Sequence, residues 1–171
     1  MPTLPDVYQE ILSPLIAQAR RILEQGESLA PFAFVGNLAQ QSLLAVALRT
    51  DSEAGKDASA AEIRQIARQL QADFVFVITE AWTLPPEQAP RYQAILAEYG
   101  SIGASPYRLD SVSFALETDQ GMWAAQVPLA ASGQAPGART FATPRFTRIS
   151  EVGGRLTGLL DGAARTARTL H

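Results

Sequence analysis

The stretch Phe74-Val75-Phe76-Val77-Ile78-Thr79 decides the fold. Six consecutive β-branched or aromatic residues suit a pleated surface, and an unbroken apolar run needs cover on both faces. The run predicts the central strand of a sheet. Glu80 and Trp82 follow it at the same strand parity, so a continuing strand would deliver both side chains to one face at the sheet's end.

Upstream, Ser59 and Glu62 have the spacing of a capping box, and Ile63, Ile66, Ala67 and Leu70 recur at helical intervals; residues 51–58 then read as a polar loop. Residues 42–49 are rich in Ala and Leu and fit either a helix or a strand. The short apolar run 32–35 needs a sheet partner, and a hairpin with 42–49 supplies it most simply. Nearer the start, Ser13-Pro14 reads as a cap followed by a first-position proline, with Leu15, Ile16, Ala19, Ile22 and Leu23 on one face until Gly26. Asp6 and Gln9 form a second capping pattern, so residues 7–12 are expected to make a turn of helix that bends at Pro14.

Downstream, Pro85, Pro86 and Pro90 end the central element, and residues 83–108 form a long excursion with a short helix over 91–99. Val112, Phe114 and Leu116 then alternate with small or polar residues, Asp119-Gln120-Gly121 supplies a turn, and Trp123, Ala125, Val127 and Leu129 alternate on the return. Residues 139–149 read as a strand interrupted by Pro144, and a helix from Arg155 presents Leu156, Leu159, Leu160, Ala163 and Ala167. The expected order is α-β-β-α-β-β-β-β-α. It describes one α+β domain over residues 1–171, with about six mostly hairpin-paired strands and helices gathered on a face.

Composition narrows the chemistry. The 171 residues are 47% hydrophobic and 18% charged, below the usual quarter or so, which favours a folded core and a self-associating surface. Cysteine is absent, which removes disulfides, thiolate nucleophiles and Cys-ligated metals, and the one histidine, His171, stands at the end of the sequence. Residues 1–6 have no basic, apolar leader pattern and no window is long and apolar enough to span a membrane, so a cytoplasmic protein is expected. Net charge is −3, and residues 139–171 are the basic end, with six arginines and two acids.

Four groups of side chains have chemistry worth weighing. Glu80 beside Trp82 could act as a general acid with a raised pKa, and Glu117 or Asp119 could complete a carboxylate pair for hydrolysis. The plainer alternative has Glu80 capping a neighbouring loop, Trp82 packed over the sheet edge and Asp119 bonding its own turn. Tyr107 and Arg108, next to Asp110, could clamp an anion with Trp82 nearby, although an ion pair from Arg108 to Asp110 or Glu80 that pins the loop is the commoner use of such a cation. Arg139, Phe141, Arg145, Phe146 and Arg148 interleave basic and aromatic residues as a single-stranded nucleic-acid surface would. Gly154, Gly158 and Gly162 would form a smooth stripe on the last helix, a possible homodimer seam. No metal site and no cofactor is expected. A non-enzymatic binding or interaction module, homo-oligomeric, fits these features best, ahead of a carboxylate hydrolase and of nucleic-acid binding.

Glu80-Ala81-Trp82 at the end of an apolar strand, followed by Ser105-Pro106-Tyr107-Arg108 and a hairpin, resembles a pattern in small uncharacterised bacterial and phage-borne proteins, over roughly half the chain. The resemblance implies the strand and the hairpin and carries no activity with it. In element order alone the chain is similar to roadblock-like and profilin-like architectures, a likeness that does not fix function.

Overall fold

The computed structural model describes residues 3–149 together with 159–160. Residues 74–79 do lie inside a sheet: they open β3 (Phe74–Thr83), which pairs antiparallel with β1 (Phe32–Asn37) on one side and β4 (Leu109–Thr118) on the other. β2 (Ser42–Ala47) pairs with β1, so residues 42–47 of the ambiguous 42–49 stretch form a hairpin strand, and β5 (Gly121–Pro128) returns along β4. With the short β8 (Thr147–Ile149) on β5, the six strands run in the order β2-β1-β3-β4-β5-β8, all neighbours antiparallel.

Strand alternation sends β3 into two cores. Phe74, Phe76 and Ile78 join Val112, Phe114 and Leu116 of β4, Trp123 of β5, and the Tyr8, Leu12, Ile16, Ala19 and Leu23 stripe of α1 (Asp6–Glu24). Val75 and Val77 join Ala33, Val35 and Val46 and the Ala60, Ile63 and Ala67 stripe of α2 (Glu53–Leu70). The two long helices therefore cover opposite faces, which corrects the expectation that helices gather on one. The apolar continuity of the central strand is the reason: each face buries its own set.

Both helix starts differ from expectation. α1 is continuous from Asp6, with Pro14 inside it, and Ser13 donates its hydroxyl to the Gln9 carbonyl at 2.6 Å instead of capping. Interior proline costs about 3 kcal/mol, but Leu12 and Ile16, buried on either side of it, each contribute about 1.5–3 kcal/mol, and the Glu10 carbonyl that Pro14 leaves without a donor lies on the exposed side. α2 is capped seven residues before Ser59: Ser52 accepts from the Gly55 N–H at 2.9 Å, while Ser59, buried mid-helix, accepts from the Arg49 N–H at 2.8 Å.

The β1–β2 hairpin is fastened to α2 by buried Asn37, whose amide donates to the Leu70 and Gln71 carbonyls at 3.1 and 2.8 Å. Next to it Gly36 must be glycine, because a Cβ there would stand 2.3 Å from the Phe74 ring. The excursion after β3 holds a 3-10 turn (Pro86–Arg91) and α3 (Tyr92–Tyr99).

Residues 139–149 are not one interrupted strand. β7 (Arg139–Thr140) pairs with β6 (Ala130–Ala131) in a separate two-stranded ribbon, and only β8 reaches the main sheet. Between them Phe141 and Phe146 both turn inward onto Phe114, and Pro144 has no N–H to give to a ladder. The expected last helix, the Gly154, Gly158 and Gly162 stripe and His171 lie outside the described residues; Leu159 and Leu160 form a turn buried in the α2-side core.

Candidate functional site

The sheet is longest where β3 meets β4. β1 stops pairing at Phe32 against Ile78, whereas β3 and β4 stay paired to Thr83 against Leu109. Residues 79–83 therefore overhang β1, and their inner-face side chains, Glu80 and Trp82, form a rim beside the excursion.

Glu80 works as a fastener. One carboxylate oxygen, Oε1, meets Arg139 Nη2 at 2.8 Å, and the other, Oε2, accepts from the Leu29 N–H at 2.9 Å. It thus ties both the α1–β1 connection and the β6–β7 ribbon to the rim. The loop-capping alternative describes it better than the general acid does. Arg108 takes neither expected ion pair: its Nη1 donates to the Gly103 carbonyl at 2.7 Å, and its guanidinium lies 5.9 Å from the Trp82 ring.

Trp82 is 58% exposed. It does not pack over a sheet edge; its support comes from the excursion, where Gly103 lies so close that a Cβ would meet the indole at 2.4 Å. Glycine is required there by close approach. Tyr107 is held edge-on to Tyr99 at 6.4 Å with the Arg91 guanidinium 5.5 Å from its ring, so it anchors the excursion from within.

Ser28, Glu80, Ala81, Trp82, Asp110 and Arg139 line a cleft of about 410 Å³. Asp110 stands directly across the ladder from Trp82 and is exposed. Glu80 has Arg139, but among the described residues the Asp110 carboxylate has no partner. Arg139 is the contributor to this cleft that sequence reasoning placed elsewhere, in a nucleic-acid strand; no local pattern links it to Glu80.

The sheet does not bring the other acids here. Glu117 pairs in register with Val75, on the opposite face from Glu80 and five residues along, roughly 17 Å away. There it accepts from the Leu159 N–H at 2.8 Å. Asp119 sits in the β4–β5 turn, beyond the pairing of Thr118 with Phe74, farther still. A carboxylate pair for hydrolysis, which needs separations under about 10 Å, is not formed by Glu80 with either.

The basic and aromatic stretch is also split up. Arg139 is paired with Glu80; Phe141 is buried against Phe114 at 5.6 Å with the Arg20 guanidinium 4.6 Å from its ring; Phe146 packs on Phe76 and Phe114. Arg148 donates to the Gln120 carbonyl at 2.6 Å and lies over buried Trp123. Of the stretch's three arginines only Arg145 has no partner among the described residues, and neither aromatic is presented for stacking. No group of three or more His, Asp and Glu side chains gathers among the described residues, and no helix among them is long and apolar enough to cross a membrane. The chain matches no protein-family model, no curated protein and no solved structure.

Proposed function

We propose that the chain is a non-enzymatic binding module, homo-oligomeric and bacterial, acting in the cytoplasm, with the Trp82 rim as its recognition surface for a cationic group. The observation that carries this is an indole more than half exposed yet backed by Gly103 and Arg108. A large aromatic surface left in water contributes nothing to the core, and keeping it rigid prepares it for contact. Neither Gly103 nor Arg108 lines the cleft, so among the described residues the ring's cleft side is open. Beside it Asp110 offers a carboxylate that has no partner among the described residues, while the charge of Glu80 is matched by Arg139. A ring face next to a lone carboxylate suits an ammonium or guanidinium group. The segments 80–82 and 105–108, on which the resemblance to bacterial and phage-borne proteins rests, are the ones that build this rim, and that kinship is part of the proposal.

Titration with arginine amide, followed by tryptophan fluorescence, tests it. Saturable quenching is expected, abolished in Trp82→Ala and weakened about tenfold in Asp110→Asn, since a charge-assisted contact is worth about 1.5–3 kcal/mol. A folded protein that gives no saturable response to arginine amide, or the same response in all three proteins, overturns it.

A further inference from the structure

We infer that a second copy of this chain docks edge to edge on β2, joining the two sheets across a twofold axis at Ala45; this rests on the homo-oligomeric part of the proposed function and names its surface. β2 is an outer strand of the sheet, and among the described residues nothing pairs with its far side. Edge strands are ordinarily blunted by lysine, proline, a bulge or a charge. The strand Ser42-Leu43-Leu44-Ala45-Val46-Ala47 carries none of these, and Leu43 and Leu44 are each 46% exposed.

The ladder phase fits a self-pair. The Leu48 N–H bonds the Pro31 carbonyl, in step with the β1–β2 register, so Ser42, Leu44 and Val46 direct their backbone groups at β1. By alternation Leu43, Ala45 and Ala47 direct theirs outward. An antiparallel twofold through Ala45 then matches Leu43 to Ala47 of the second copy, Ala45 to Ala45, and Ala47 to Leu43. Every outward residue meets an outward residue, giving about six backbone hydrogen bonds. Large Leu43 falls opposite small Ala47.

Charge points to the same occupant. Glu10 lines the groove at the Leu43 end of β2, a cavity of about 350 Å³ shared with Val7, Ile11, Leu38 and Phe74, and Arg49 follows the other end. Neither side chain has a partner among the described residues. Antiparallel self-pairing lays the Arg49 end of each copy against the Glu10 end of the other, so two unspent charges become two cross-interface pairs.

Sedimentation equilibrium on the full chain is the test. The wild type is expected to dimerise, with Ala45→Pro, which removes an outward N–H and none directed at β1, raising the dissociation constant about thirtyfold. Arg49→Glu and Glu10→Arg are each expected to weaken the dimer severalfold, and their combination to restore it, a rescue that misfolding would not produce. A monomeric wild type overturns both the homo-oligomer and this surface. A dimer indifferent to Ala45→Pro and to both charge reversals overturns this surface alone.

Discussion

At the scale of single residues, Glu80 shows how a site residue can be visible in a sequence while its work is not. Strand parity places it beside Trp82 on one face, and the structure agrees; its partners, the Leu29 N–H and Arg139, arrive from a loop and from a ribbon that no local pattern connects to it. A carboxylate with two charge-assisted bonds and a half-buried side chain is a fastener whose removal strands a buried N–H. Glu80→Ala is accordingly expected to destabilise the fold by about 2–3 kcal/mol, and Arg139→Ala by less, because Glu80 then keeps Leu29. Urea unfolding of the two variants and their double mutant checks this, and equal losses would contradict the assigned division of labour.

At the scale of elements, strands were more legible than helix boundaries. The 74–79 run and the Val112 to Leu129 alternation were bound to their places by burial, whereas capping patterns recur: Ser52 and Ser59 both look like helix starts, and only the position of the Arg49 N–H assigns Ser59 to the helix interior. Pro14 illustrates the same competition, since the apolar stripe from Tyr8 to Leu23 overrode the break that proline favours. Replacing it restores a backbone bond at an exposed position. Pro14→Ala is expected to stabilise the protein by about 2 kcal/mol, the helical gain of about 3 less roughly 1 for the freer unfolded chain, read as a rise in the urea midpoint at unchanged slope.

At the scale of the whole molecule, composition set what chemistry was excluded, and long-range packing set the rest, including the dispersal of the 139–148 stretch into an ion pair, a core and a crossing. The α1-side core has a titratable member. Tyr8 lies edge-on to Phe74 at 5.7 Å, and burial, with lesser pushes from Asp73 and Asp119, raises its phenol to about 12. The folded protein thus holds a proton that the unfolded chain releases near pH 10, so the contribution is complete below about pH 10 and is lost as pH climbs toward about 12. Melting temperatures at about pH 9 and about pH 11.5 are expected to fall less in Tyr8→Phe than in wild type. The overhang of β3 and β4 has its own consequence. Because Thr83 and Leu109 face each other across the ladder, residues 84–108 depart and return at nearly the same point. The segment is therefore a removable cassette: a tight turn could replace it with both cores intact, and what the molecule recognises could be exchanged without rebuilding what holds it together.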